Sequence, residues 1–301
     1  MRLDKNKEYF RELIDRSNKF TGINRALIEK DYYVTLLLKT IFMIDSNFVF
    51  KGGTSLSKCF KVIDRFSEDI DLNYNPDVLL GKGTKKRNME SVQMALGRCG
   101  LRLTNPYKIK PYNFFNIYIA SYDNIYADNG VKTSVVVETA YQVASFPNEK
   151  KMAQSIIGEY LESIGRMDLV EEFELEKFEV TVQSLKRTMI DKIFAICDYY
   201  LSDRIQEHSR HLYDLYKLYP LVNIDDDFYE LFEEVRTIRK ESEICHSAKD
   251  DISPRKILEE IIAKDIYKFD FNRITLNLLY EQVSYEDTID NLNKIKEIIK
   301  R

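Results

Sequence analysis

Residues 50–72 read FKGGTSLSKCFKVIDRFSEDIDL, from Phe50 through Gly52-Gly53-Thr54-Ser55 to Asp69-Ile70-Asp71-Leu72. Glycine lets a backbone approach an anion closely, and N–H groups at a helix start point toward it. Phe48 to Lys51 reads as a short strand entering that bend, Thr54 to Lys61 as the helix that follows, and Ser67 to Tyr74 as a second strand closed by Asn75-Pro76. Residues i and i+2 of a strand share a face. Asp69 and Asp71 are therefore expected side by side, with Ile70 and Leu72 turned into a core. The same alternation puts Arg65 and Ser67 on the carboxylate face. Two neighbouring carboxylates repel unless a cation lies between them, and a divalent metal is the usual answer. The plainer alternative is a solvent-facing strand that carries two acids. A phosphate cradle beside a two-carboxylate metal site is the minimum equipment for moving a nucleotide.

A third carboxylate would complete a two-metal set. The candidate is Glu138, in the apolar strand Ser134-Val-Val-Val-Glu-Thr, where a buried acid costs several kcal/mol unless it is paired or metal-bound. Its alternative is a glutamate facing water from an edge strand. Further along, Asp191-Lys192 interrupts the apolar helical run TMIDKIFAICDYY. Arg210 and Asp214 lie four apart in Arg210-His211-Leu212-Tyr213-Asp214-Leu215. Taken alone, that spacing reads as an intrahelical ion pair worth roughly 0.3–0.5 kcal/mol. His211 is a general-base candidate, with a structural histidine the favoured reading.

The 301 residues are 44% hydrophobic and 31% charged, which suits one large or two modest globular domains. No apolar run approaches the ~20 residues that span a bilayer, and the start, MRLDKNKEYF, is not a signal peptide. Cys59, Cys99, Cys197 and Cys245 are scattered and make no CxxC pair, so a zinc site is not expected and a reducing cytoplasm is. With a net charge of −4, any polyanion contact must come from a local basic patch. The densest is Lys82, Lys85, Lys86 and Arg87, read as a glycine-flanked loop between Gly81 and a helix from about Lys86 to Cys99. Twenty tyrosines and seventeen phenylalanines offer stacking surface, most of it assigned to core.

Leu101 to Lys108, Asn113 to Ser121 and Val131 to Val143 read as antiparallel strands. Pro147 and the lysines near Lys150 mark the expected boundary between domains 1–147 and 148–301. Beyond it, Leu185 to Tyr200, Arg210 to Leu221, Asp227 to Ser242, Pro254 to Ile262 and Asp287 to Lys300 show helical spacing, with one more short strand at Phe178 to Val182.

Three blocks together resemble the nucleotidyltransferase toxins of the AbiEii/AbiGii family. They are Glu29-Lys30-Asp31-Tyr32, then Phe50 to Leu56 with Arg65 to Leu72, then Arg210-His211-x-Tyr213-Asp214-Leu215. The resemblance implies an α+β fold: a polymerase-β-like nucleotidyltransferase core with a mixed or antiparallel sheet, followed by a C-terminal helical bundle. It implies that the glycine block and the Asp-x-Asp strand hold NTP and Mg²⁺, and that Lys192 and Asp214 complete the site. Gly52, Gly53, Thr54 and Ser55 are expected to hold the β- and γ-phosphates, with Ser67 beside them. Asp69, Asp71 and Glu138 are the expected metal ligands, and Arg65 and Lys192 the neutralising cations. Such proteins resemble the toxin half of toxin–antitoxin or abortive phage-infection modules, and some relatives transfer nucleotides to tRNA ends. The expected partners are NTP, an RNA acceptor and a cognate antitoxin, whose direct contact is left open. Two other readings remain at this point: a nucleotide-binding module without catalysis, and transfer to a small molecule as in antibiotic-modifying enzymes.

Overall fold

The computed structural model describes residues 1–126 and 131–299. The chain packs as two units, Met1–Phe60 with Ser67–Val182, and Lys61–Phe66 with Gln183–Arg301. The division falls after Val182, where the sequence placed it at residue 147.

The first unit opens with α1 (Lys7–Thr21), which Asn6 caps by accepting from Tyr9 N–H and Gly22 ends at φ +74°. Helix α2 (Arg25–Ile44) is buried on nearly all sides, including Glu29 and Lys30. Strand β1 (Phe48–Lys51) runs into the single turn α3 (Gly52–Ser55), a π-helical turn follows over Leu56–Phe60, and β2 is Ile70–Tyr74. Next come α4 (Lys82–Cys99), β3 (Arg102–Leu103), β4 (Phe115–Ser121), β5 (Ser134–Ala140) and β6 (Asn148–Ala153). Helices α5 (Ile156–Ser163) and α6 (Met167–Glu172) lead to β7 (Phe178–Gln183).

These strands form one mixed sheet of order β3-β4-β5-β2-β1-β7-β6. β1 pairs antiparallel with β2 and parallel with β7, while β2 pairs parallel with β5. Phe50, Ile70, Leu72, Val135, Val137, Val180 and Val182 are wholly buried. The strand alternation leaves Asp71 and Glu138 half-buried on the opposite face.

Three local expectations shift. The β2 ladder begins at Ile70, so residues 65–69 lie outside it and the alternation argument does not reach Arg65 or Ser67. Side chains hold that segment instead. Lys82 to Arg87 form the first turns of α4 with Gly81 as N-cap, because lysine and arginine favour helix enough to outweigh the roughly 1 kcal/mol cost of Gly83. Strand β6 falls at the expected boundary; its polar, half-exposed residues look like a linker but serve a sheet edge.

The second unit is helical: α7 (Leu185–Leu201), α8 (Arg210–Leu218), α9 (Asp226–Lys240), α10 (Pro254–Ala263), α11 (Lys268–Arg273) and α12 (Tyr285–Ile298). Lys300, the expected end of the last helix, lies outside the described residues. Ser184, Asp225, Ser253 and Ser284 cap four of these helices. The short segment 61–66 pairs with the stretch before α12: Phe66 N–H donates to Leu278 O and Tyr280 N–H to Asp64 O, both at 2.8 Å. Among the described residues, no helix is long and apolar enough to cross a membrane.

Candidate active site

At the end of β1 the chain turns at Gly52, with φ +78°. A Cβ built there would fall 2.9 Å from Asp71 Cγ and 3.2 Å from Asp71 Cβ, with Oδ2 closer still. The Asp71 carboxylate thus lies against the glycine backbone, and only glycine supplies both the left-handed φ and the space. Gly52→Ala is expected to cost at least about 1–2 kcal/mol from φ alone, before the clash with Asp71. A thermal melt beside an NTP-binding titration checks this, with both expected to weaken.

Sheet register extends the site sideways. Asp71 is the antiparallel partner of Lys51 and the parallel partner of Glu138. Partners in register share a face, so Lys51, Asp71 and Glu138 stand in one row on strands about 4.8 Å apart. Magnesium is usually held by one or two carboxylates plus phosphate oxygens and water, and Asp71 with Glu138 fits that donor set. Asp69 sits one residue before the ladder. Among the described residues, no group of three or more His, Cys, Asp or Glu is preassembled to hold a metal. Lys51, given no role in the sequence reading, enters through register alone.

The hydroxyls of the turn are inward. Thr54 and Ser55 are fully buried. Ser55 Oγ donates to Gly52 O at 2.9 Å, and Thr54 Oγ1 lies 2.9 Å from Ser67 Oγ. These side chains knit the bend rather than point out of it, and Gly52 and Gly53 stay half-exposed.

Helix α2 braces this arrangement through three consecutive charges. Glu29 accepts from the N–H groups of Ile125 and Tyr126 at 2.6 and 2.9 Å, and burial pushes its carboxyl up against the pull of those donors. Lys30 pairs with Glu68 at 2.5 Å and donates to Lys132 O at 3.0 Å. Burial raises the Glu68 carboxyl, and Lys30 opposes that rise. Asp31 takes Lys58 Nζ at 2.5 Å on one oxygen and the N–H of Ile156, in the first turn of α5, at 2.8 Å on the other. Lys58 also donates to Thr35 Oγ1 at 2.6 Å. The residue before Asp69 and the turn after the glycines are therefore both anchored on α2. The sequence carried a signal for this, since charges inside an otherwise apolar helix require partners. Lys30→Met should leave Glu68 partly buried without its cation and cost about 1–3 kcal/mol, read as a lower melting temperature.

The second unit gathers the other expected residues. Arg65 grips Asp214 bidentately, Nε to Oδ1 at 2.7 Å and Nη2 to Oδ2 at 2.8 Å, and Lys192 Nζ donates to Oδ2 at 2.5 Å. Asp214 is thus joined to Arg65 and Lys192, where i,i+4 spacing suggested Arg210. It is wholly buried and Arg65 is 3% exposed. Burial opposes ionisation of Asp214, but Arg65 and then Lys192 outweigh it and hold the carboxyl well below its usual range. Lys192 is pushed down by burial and by Arg65, against the pull of Asp214. Two cations share one anion, which makes both directions consistent. Burial, Lys192 and Arg210 keep His211 far below its ordinary value, and burial with Arg210 and Arg204 takes His208 to about 4. Both rings stack on Tyr199, which accounts for them structurally.

A family model described as "Nucleotidyl transferase AbiEii toxin, Type IV TA system" matches residues 41–292. The match begins after Glu29-Lys30-Asp31-Tyr32 and reaches into α12, so it includes helices in which the sequence reading found no motif. Among solved structures, the chain is similar to MenT4, a nucleotidyltransferase toxin from Mycobacterium tuberculosis H37Rv, at 16% identity and TM-score 0.49, over 96% of this chain and 89% of that one. No curated protein matches.

Proposed function

The chain belongs to the AbiEii nucleotidyltransferase toxin family, and we propose that it moves a nucleoside monophosphate from an NTP to RNA with Mg²⁺ as cofactor, inside the cytoplasm. The observation that carries this reading is the Asp71 carboxylate packed against Gly52, with Glu138 its register partner. An anion-accepting bend and two in-register acids then belong to one surface.

In this reading the Gly52-Gly53 backbone takes the phosphate tail, helped by the bend that Thr54, Ser55 and Ser67 hold rigid. Asp71 and Glu138, with Asp69 beside the strand, hold magnesium, which supplies charge neutralisation and alignment when bound. Glu138 accepts the proton of the attacking hydroxyl. The new bond joins the acceptor oxygen to the α-phosphorus; the bond to the β-phosphate oxygen breaks, and pyrophosphate leaves. Asp214 positions Arg65 and Lys192, and Lys192 is proposed to contribute to turnover through its charge. A cognate antitoxin is the proposed partner in the cell.

The test is incubation of the purified chain with α-labelled NTPs, total RNA and Mg²⁺, with chelator as control. Chelator-sensitive label in RNA supports the reading. Calorimetric binding of Mg·NTP with no label in any acceptor favours a non-catalytic binder, and label on a small molecule favours the antibiotic-type reaction.

A further inference from the structure

Between Asp77 and Asp123 the sequence holds eight lysines and arginines and one acid, Glu90, in a chain of net charge −4. Within that basic stretch, residues 107–115 read YKIKPYNFF, with two lysines between Tyr107 and a second group of rings. The rings are not core. Tyr107 is 91% exposed, Tyr112 53%, Phe114 50% and Phe115 40%, and Lys108 and Lys110 are exposed among them.

The backbone beneath is pinned. Ile109 is buried in the core of the first unit. The Asn116 side chain accepts from Lys110 N–H and donates to Lys110 O, both at 2.9 Å. Asn105 braces β4 in the same way through Ile117 O and Ile119 N–H, and Tyr141 N–H donates to Phe114 O at 2.8 Å. Lys85 of α4 sits 3.6 Å above the centre of the Phe114 ring, which ties a further cation to this surface.

Tyr107, Tyr112 and Phe114 stand exposed on one braced segment, the kind of ring surface that marks an interaction site, while Phe115, next to Phe114 in extended backbone, faces the other side of the sheet. The partner must offer flat apolar faces and negative charge together. Unpaired bases on a phosphate backbone do so: each base has a face to stack, and each phosphate meets a lysine. A duplex hides its base faces, and an acidic peptide has carboxylates without the planar stack.

We propose that the surface bearing Tyr107, Tyr112 and Phe114 with Lys108 and Lys110 is a docking platform for single-stranded RNA. Only the choice of RNA over DNA rests on the acceptor proposed above.

The experiment is fluorescence anisotropy with the full chain and a labelled single-stranded RNA of about twelve nucleotides, within the usual site size of such platforms. Single-stranded DNA of the same sequence, duplex RNA and a polyglutamate peptide are the comparison probes. The double variant Tyr107→Ala/Tyr112→Ala is expected to weaken single-strand binding by roughly 5- to 150-fold per ring lost. Lys108→Gln/Lys110→Gln is expected to flatten the log–log salt dependence by about 1.4, the contribution of two phosphates on a single strand. All these side chains are exposed, so melting temperature and NTP affinity should stay at wild-type values. In the transfer assay the KM for RNA should rise while kcat at saturating RNA does not.

Unchanged RNA affinity in both double variants overturns the platform, even if transfer to RNA is seen. Equal affinity for polyglutamate, or no affinity for any single strand, also overturns it. Ring-dependent RNA binding without any nucleotide transfer leaves the platform standing and removes the transfer reaction instead. Tighter binding of DNA than RNA would overturn the acceptor chemistry while keeping the surface.

Discussion

Asp71→Asn should lower nucleotide transfer by about three orders of magnitude, since several kcal/mol of metal-dependent charge stabilisation are at stake and each 1.36 kcal/mol is a factor of ten. The amide keeps the size of the carboxylate, so it should still fit against Gly52 and leave the β1–β2 ladder in place. Only the charge goes. Glu138→Gln should fall in the same direction by roughly 10²–10⁴-fold, the range for a lost general base. Label incorporation into RNA, measured beside a thermal melt, separates loss of chemistry from loss of fold. Wild-type incorporation by Asp71→Asn would sink the assignment of this site.

Asp214→Asn should be the most destabilising of the conservative changes. It strands two buried cations, Arg65 and Lys192, around a neutral side chain. Removing one partner of a buried ion pair costs about 3–5 kcal/mol. For a unit of this size that corresponds to a melting shift of roughly 6–20 °C, at 2–4 °C per kcal/mol. Lys192→Met should cost less, because the bidentate Arg65–Asp214 pair survives it as a neutral unit. Acid separates the two variants further. The folded Asp214 carboxyl lies below its ordinary value. Its stabilisation is therefore fully present above the unfolded value near pH 3.9 and is lost as pH falls below it. As pH falls below about 3.9 the wild type should progressively lose this term, and Asp214→Asn, having no group there to protonate, should lose less. Equal acid sensitivity in both proteins would show that Asp214 is not what holds the cluster.

Much of the site was legible because its signals are local. A Gly-Gly pair after an apolar strand marks a backbone that needs a left-handed φ, and Gly52 has one. Helices α7 to α10 and α12 announced themselves through 3.6-residue spacing, while the short α11 did not. What stayed hidden depends on partners far apart in sequence. Asp71 and Glu138 were visible as acids in strands, but only the parallel β2–β5 register makes them neighbours. Arg65 and Ser67 were aligned with Asp69 by an alternation that stops at Ile70, because Ser67 and Glu68 are held by Thr54 and Lys30 rather than by a ladder. Asp214 looked like the partner of Arg210 because helical spacing is readable and a salt bridge to residue 65 is not. The residues 29–31 were recognisable as a block, yet their work lies in three different contacts: a loop, the residue before Asp69, and the turn after the glycines.

The stretch from Lys61 to Phe66 has a consequence for synthesis. It leaves the ribosome before its lodging does, since Asp214 follows Arg65 by 149 residues and Leu278 to Tyr280 come later still. Until then Ser67 and Glu68 have their partners in Thr54 and Lys30, while Arg65 waits for its carboxylate. A nascent chain therefore completes the contacts of this segment only after residues 278–280 have been made.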